Sequence, residues 1–101
     1  MLCIVFCSDR EGSAELRKEL QAVHRSYLSD WSDCICFSGP QQHEFGDAFV
    51  GSVFLLNVDT YQRAVDFIQN EPYNAAGVFA SVTIRRLGKG RFNPTLFDAL
   101  K

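Results

Sequence analysis

The order of strand-like and helix-like segments is the strongest constraint in this sequence. Four apolar runs, at residues 2–7, 34–38, 48–58 and 78–87, are rich in the residues that strands favour. Two amphipathic stretches, at residues 14–31 and 60–70, carry apolar side chains at helical spacing. The order β-α-β-β-α-β predicts a ferredoxin-like α+β fold, in which one antiparallel sheet carries both helices on one face.

Each predicted helix has one apolar stripe. In the first helix the stripe consists of Leu16, Leu20, Val23, Tyr27 and Trp31, and in the second it consists of Tyr61, Ala64, Val65 and Ile68. The polar residues Gln21 and Arg25 are expected on the far side of the first helix. Ser13 is the predicted N-cap of the first helix, and Asp59 is predicted to cap the second with Gln62 as its capping-box partner.

Two of the predicted strands, residues 2–7 and 48–58, are apolar on both faces. Two helices cover only one face of a sheet, so a lone subunit would expose a patch of apolar side chains on the other. We therefore predict a symmetric homodimer that pairs the two open sheet faces.

Length and charge narrow the function classes. A chain of 101 residues has the size of one domain, so residues 1–101 are predicted to form a single domain with a polar tail at residues 88–101. In this tail Phe92, Leu96 and Phe97 are available for docking.

Ten basic and twelve acidic residues give a net charge of −2, which provides no general attraction to nucleic acid or to anionic membranes. No apolar run approaches the roughly 20 residues of a membrane span, and the N-terminal run lacks the pattern of a signal peptide.

The four cysteines are predicted to be reduced and to act as small hydrophobic residues in a cytoplasmic protein. They are Cys3, Cys7, Cys34 and Cys36. On an extended strand Cys3 and Cys7 lie about 13 Å apart, too far to share one metal ion. No metal-ligand pattern recurs and no glycine-rich phosphate motif is present, so we expect neither a metal nor a cofactor.

Two residues are candidates for acid–base chemistry. His24 lies at the edge of the first helix's apolar stripe, where it is either a half-buried structural histidine or a general acid/base at a cleft. Glu71 precedes Pro72 at the end of the second helix, where the helix dipole disfavours a carboxylate. Glu71 is therefore either solvated, or the cost of its charge at the helix end is offset by a cation or by a histidine that it orients.

Other polar residues have weaker functional signals. Ser52 follows Gly51 inside a strand, where a glycine often marks the close approach of another group. His43 and Glu44 are expected on a surface loop. Four basic residues near the end of the last strand form either a solvated sheet end or a wall that holds an anion. They are Arg85, Arg86, Lys89 and Arg91.

Several of these residues together resemble the YciI-like (YCII-related) family of small bacterial proteins. The resemblance extends from Leu2 to about Phe92 and includes the first strand, His24, the pair Gly39-Pro40 and the pair Gly51-Ser52. Its most specific part is the block Glu71-Pro72-Tyr73-Asn74-Ala75-Ala76-Gly77-Val78, which is similar to the family's Asp-Pro-Tyr, two residues, Ala-Gly-Val. The family commonly has Asp at the position of Glu71 and Arg at the position of Gln21.

The resemblance implies a dimeric α+β barrel with an active site around a histidine and an acidic residue in a cleft. Some relatives are dehydrochlorinases of substituted aromatic rings, and the fold is shared with muconolactone isomerase. By position, His24 becomes the candidate base and Glu71 its partner. The same resemblance places Gly39, Pro40, Ser52 and Tyr73 in the predicted substrate-binding set.

Two hypotheses follow. In the first, the protein is a lyase or isomerase in which His24 moves a proton on a ring or carbonyl substrate. In the second, it is a non-catalytic module that binds a small molecule or a protein partner. The distance between the His24 ring and the Glu71 carboxylate distinguishes them: hydrogen-bond reach within a pocket favours the enzyme, and a gap beyond about 8 Å contradicts the pair.

Overall fold

The computed structural model describes residues 1–101 and has the strand and helix order predicted from the sequence. The elements are β1 (Leu2–Asp9), α1 (Ala14–Asp30), β2 (Ile35–Gln42), β3 (Phe49–Asn57), α2 (Tyr61–Asn70), α3 (Pro72–Ala75) and β4 (Phe79–Leu87). The strands form one antiparallel sheet in the order β2-β3-β1-β4. The prediction of a ferredoxin-like α+β fold is thus confirmed.

The alternation of side chains along β1 separates the two faces of the sheet. Cys3, Val5 and Cys7 point toward the helices and are completely buried. Their neighbours Ile4 and Phe6 point to the opposite face, which we call the open face, and Phe6 is 45% exposed there. The apolar patch expected on a lone subunit is therefore present.

The core lies between the sheet and the helices. Phe54 and Leu56 of β3 pack with Phe67 of α2, and the edges of the Phe54 and Trp31 rings meet the Phe67 ring at centroid distances of 5.0 and 5.1 Å. The Tyr27 hydroxyl donates a hydrogen bond to the Phe67 carbonyl at 2.9 Å, which joins α1 to α2. These contacts hold both helices on one face of the sheet.

Both predicted helix stripes need correction. In α1 the residues Leu16, Leu20, Tyr27 and Trp31 pack against the core, whereas Val23 is 55% exposed. In α2 the buried residues are Ala64, Phe67 and Ile68, and Tyr61 is exposed. The direction in which each helix faces the sheet is decided by its packing, which the spacing of apolar residues does not fix uniquely.

The helix caps also differ from the predictions. Ser13 occupies the N-cap position of α1, but its side chain makes no capping hydrogen bond. The cap of α2 is Thr60 and not Asp59, because Thr60 has the extended backbone that lets its hydroxyl accept from the Arg63 amide. Gln62 bonds to Asp66 instead of completing a capping box.

Strand β2 is longer than predicted and passes through Pro40. It tolerates proline because it is an edge strand and pairs only with β3. The pairing register shifts between Ile35 and Phe37, so the intervening Cys36 is unpaired and exposed. The prediction of a core cysteine is therefore wrong for Cys36, whereas Cys3 and Cys7 are in the core.

The C-terminal tail forms a short 3₁₀ helix, Pro94–Ala99. Phe97 packs on Phe37 of the open face, with ring centroids 5.5 Å apart. Phe92 and Leu96, the other two residues proposed for docking, remain exposed. No helix has both the length and the apolar character needed to span a bilayer.

Candidate active site

A cleft of about 280 Å³ opens between α1 and the strands β2 and β3. Five of the six residues predicted for the site line this cleft: His24, Gly39, Pro40, Ser52 and Tyr73. The sixth, Glu71, lies completely buried behind His24. The structure therefore brings the whole predicted set together in one place, although their functional roles stay predictions.

His24 and Glu71 form a close pair. The Nδ1 atom of His24 lies 2.5 Å from Oε1 of Glu71, well within hydrogen-bond reach. The imidazole also stacks on the Tyr73 ring, with centroids 4.0 Å apart and planes 14° from parallel. The ring is thus fixed by a carboxylate at one nitrogen and by an aromatic face.

Glu71 has a second structural task. Its Oε2 atom accepts hydrogen bonds from the backbone amides of Tyr73 and Asn74, at 3.1 and 3.2 Å, and so caps the N-terminus of α3. Glu71 ends α2, as expected from the sequence, and its carboxylate contacts a histidine there; because the chain turns at Glu71 and begins a new helix, the same carboxylate also caps α3. A helix N-terminus stabilises a negative charge. One carboxylate thus contacts the imidazole and two backbone amides at once.

The free nitrogen of His24 faces the cleft. A carboxylate accepts hydrogen bonds, so we assign the Nδ1 hydrogen to the bond with Glu71 in the neutral imidazole. Nε2 then carries a lone pair and has no partner within the protein. An oriented imidazole of this kind can take a proton from a bound molecule and return it.

A second buried pair, Arg17 with Asp9, was not predicted from the sequence. Arg17 donates from Nε and Nη2 to the Asp9 carboxylate at 2.6 and 2.9 Å, and Nη2 also donates to Ser52 Oγ at 2.9 Å. The guanidinium lies 4.8 Å from the centroid of the Tyr73 ring. One sequence signal was available: Arg17 and His24 are seven residues apart, which puts them on the same side of a helix, two turns from each other.

Two further residues of α1 line the cleft against expectation. Gln21 and Arg25 were predicted on the far side of the helix, but both border the cavity. The helix is rotated so that its polar edge, and not Val23, faces the β2–β3 side. Next to this cavity is a second one of about 260 Å³, which shares Arg17, Gln21, Phe49 and Tyr73 with the first and reaches toward Asp47.

Burial raises the pKa of a thiol and of a phenol near the cleft. Burial, with smaller contributions from the Glu71 and Asp9 carboxylates, raises the pKa of Cys7 to about 12. Burial also raises the pKa of Tyr73 above its usual range. Both groups are therefore protonated near neutral pH, which leaves His24 as the titratable group best placed for proton transfer.

The remaining candidates lie elsewhere. None of Arg85, Arg86, Lys89 and Arg91 lines the cleft, so the alternative of an anion-holding wall at this site is wrong. His43 is in the β2–β3 turn, where its Nδ1 accepts from the Phe45 amide at 3.2 Å. No cluster of three or more His, Cys, Asp and Glu side chains is arranged to hold a metal ion.

Fold and cleft together define a ferredoxin-like protein of the dimeric α+β barrel class with a histidine–carboxylate pair at one face of its sheet. The family model of the YCII-related domain matches residues 1–88, and the chain belongs to this family. The resemblance seen in the sequence is thus confirmed. No functionally curated protein matches the sequence.

The solved structures that resemble this chain include a bacterial dehydrochlorinase and a plant protein. The 5-chloro-2-hydroxyhydroquinone dehydrochlorinase of Burkholderia phenoliruptrix AC1100, solved with 2,5-dihydroxybenzoquinone, is 26% identical and superposes with a TM-score of 0.83. The match covers 89% of this chain and 96% of that one. A protein from Arabidopsis thaliana is 11% identical with a TM-score of 0.48, over 91% of this chain and 97% of that one. The second likeness is too weak to bear on function.

Proposed function

We propose that this protein is a small-molecule lyase or isomerase in which His24 transfers a proton at a ring or carbonyl substrate. The observation that carries the proposal is the 2.5 Å contact between His24 Nδ1 and Glu71 Oε1 at the wall of a cleft. Glu71 orients the imidazole and stabilises its protonated form, while Nε2 exchanges the proton with the substrate. Gly39, Pro40, Ser52 and Tyr73 form the surrounding binding surface.

The similarity to a dehydrochlorinase favours a hydroxylated six-membered ring as substrate. That relative is 26% identical and was solved with 2,5-dihydroxybenzoquinone. Loss of HCl from the keto tautomer of a chlorinated, hydroxylated ring requires one base. His24 Nε2 accepts the hydroxyl proton, the O–H electron pair passes through the conjugated ring to form the new carbonyl, and chloride leaves with the carbon–chlorine electron pair. The cleft of about 280 Å³ is large enough for one such ring.

Chloride release from 5-chloro-2-hydroxyhydroquinone tests this function. We expect turnover by the wild-type protein and a fall of about 100-fold or more for His24→Gln, because acid–base catalysis typically contributes that much. His43→Gln is the matched control, since His43 lies in the β2–β3 turn outside the cleft, and it should keep full activity. Equal rates for wild type and His24→Gln would contradict the proposal. Binding of 2,5-dihydroxybenzoquinone without turnover would favour the alternative, a non-catalytic binding module.

The functional unit in this proposal is a homodimer formed through the open sheet face. Phe6, Phe37 and Leu87 are 45%, 39% and 38% exposed, and all three lie on that face. Covering such apolar surface stabilises an assembly by removing it from water. Light scattering after size exclusion should give the mass of two chains at micromolar concentration, and a monomer would contradict the dimer. A cytoplasmic location stays a prediction from the sequence.

A further inference from the structure

The hydroxyl group of Ser52 is buried, lines the cleft and has one free hydrogen. Ser52 is only 3% exposed, and its Oγ accepts a hydrogen bond from Nη2 of Arg17 at 2.9 Å. Arginine has donors and no acceptor, so the hydroxyl hydrogen cannot point back to Arg17. Arg17 is the only hydrogen-bond partner of this hydroxyl in the structure. Because Ser52 lines the cleft, this hydrogen is available to a molecule that occupies the cleft, whether water or a ligand.

Arg17 is itself held in place. Asp9 binds it through two hydrogen bonds, at 2.6 and 2.9 Å, and the side chains of this pair are 9% and 8% exposed. The carboxylate offsets most of the positive charge, so Arg17 is not a free anion-binding cation. Its remaining contact with Ser52 polarises the hydroxyl and makes it a stronger donor.

The backbone of Ser52 is fixed from the other side of the sheet. The Gln41 side-chain amide reaches across β3 and donates to the Ser52 carbonyl at 2.9 Å and to the Cys7 carbonyl at 3.0 Å. This reach is open because the residue before Ser52 is a glycine: a Cβ at Gly51 would lie 2.2 Å from the Cys7 carbonyl oxygen and 2.8 Å from Gln41 Nε2. The position of Ser52 is thus determined on both faces of the sheet.

We propose that the Ser52 hydroxyl donates a hydrogen bond to an anionic oxygen of the substrate, an enolate or phenolate, and that Arg17 is its positioning residue. The inference rests on the proposed function, because negative charge develops on this oxygen as His24 takes its proton, before the electron pair passes into the ring to form the carbonyl. A preorganised donor aimed at a developing negative charge stabilises the transition state. The site then has two separate parts: His24 accepts the proton and Ser52 binds the oxygen that loses it.

Ser52→Ala tests the inference against Ser29→Ala, whose serine hydroxyl on α1 bonds the Arg25 carbonyl and lies outside the cleft. The probe is 2,5-dihydroxybenzoquinone, with its dissociation constant measured by titration and chloride release measured alongside. We expect Ser52→Ala to weaken probe binding by about 10- to 100-fold, the usual effect of deleting a hydrogen bond to a charged group. Ser29→Ala should match the wild type.

A second variant keeps the test valid if Ser52→Ala folds poorly. Ser52→Thr retains the hydroxyl, so it should bind the probe more tightly than Ser52→Ala, and circular dichroism confirms that each variant is folded. Wild-type binding and turnover in Ser52→Ala would overturn the inference while leaving the role of His24 intact. Wild-type turnover in His24→Gln would instead remove the proposed function, whatever Ser52→Ala shows. Weak binding in both folded Ser52 variants would show that volume and not the hydroxyl matters, which also overturns the inference.

Discussion

The two faces of the sheet differ in burial and in polar contacts although they share the same strands. The helix-covered face has a completely buried apolar core that gives way, beside α1, to two polar pairs, His24–Glu71 and Arg17–Asp9. The open face has no such pair among its central residues, and its aromatic side chains are partly exposed. One face thus pairs its buried charges within the chain, whereas the other leaves apolar side chains in contact with water on a lone subunit.

Adjacent residues of β1 provide the most direct way to break this comparison. Val5 is completely buried under the helices, and Phe6 is 45% exposed on the open face. Val5→Asp places an unpaired carboxylate in the core, which costs several kcal/mol and is comparable to the whole stability of a small domain. We expect Val5→Asp to be unfolded by circular dichroism.

Phe6→Asp is the matched variant on the other face. Its carboxylate stays in contact with water, so the variant should keep the wild-type circular dichroism spectrum. It should elute as a monomer, because two charged groups would oppose association of the open faces. Unfolding of Phe6→Asp would show that the open face is part of the core of a single chain.

Glu71→Ala is expected to have the next largest effect, on the polar side of the comparison. The substitution removes the partner of His24 and the acceptor of two backbone amides at once. Breaking a buried pair in this way costs about 3–5 kcal/mol, which urea denaturation measures. Glu71→Gln should lose less, since its amide oxygen still accepts from the amides of α3. Equal losses for the two variants would argue against the capping role.

Gly51→Ala sharpens the comparison at the point where the Gln41 side chain reaches across β3 and connects the two faces. The new Cβ would meet the Cys7 carbonyl oxygen at 2.2 Å, so backbone must move. We expect a loss of about 1–3 kcal/mol in the free energy of unfolding, the range for overpacking a well-packed site. Gly39→Ala is the control, because its Cβ would have only ordinary contacts, from 3.6 Å, with the Phe37 ring. Stability equal to wild type for Gly51→Ala would show that Gln41 is not required in its bridging position.

The smallest expected effect concerns two cysteines that differ in burial. Burial raises the pKa of Cys7 to about 12, whereas Cys36 is exposed on the edge strand. At pH 8 iodoacetamide should modify Cys36 in the folded protein and leave Cys7 unmodified until denaturant is added. Mass spectrometry of the peptides identifies the site. Rapid modification of Cys7 in the folded protein would contradict its burial.

The same pKa shift gives a pH dependence of stability. Below pH 9 the Cys7 thiol is protonated in both folded and unfolded chains, so its contribution is fully present. Between pH 9 and about 12 the unfolded chain loses the proton first, and stability falls as pH rises. Cys7→Ala should flatten this part of the profile in urea denaturation; an unchanged slope would contradict the assignment.

The sequence was sufficient for the fold and for the location of the cleft. Alternating and helical periodicities predicted the order of strands and helices, and the block beginning at Glu71 identified the family's candidate acid. The rotation of α1 about its own axis was not predictable from the spacing of its apolar residues. Val23 of the predicted stripe is exposed and the polar Arg17 is buried, because the helix faces a polar cleft along part of its length.

The polar partners were the hardest part to predict. Asp9, Arg17 and Ser52 come from β1, α1 and β3, so only the folded chain brings them together. The cap that Glu71 provides to α3 was not predicted for a local reason: a residue before a proline indicates the end of one helix, and here the proline also begins the first turn of the next. Sequence patterns indicate which residues are special more readily than which residues they contact.

Glu71 also links the charge of His24 to two backbone amides. One oxygen of its carboxylate contacts the imidazole, and the other accepts from the Tyr73 and Asn74 amides. A change in the charge of His24 therefore alters the strength with which those two amides are held. Hydrogen exchange at the Tyr73 and Asn74 amides should consequently follow the protonation state of His24, without any label being introduced.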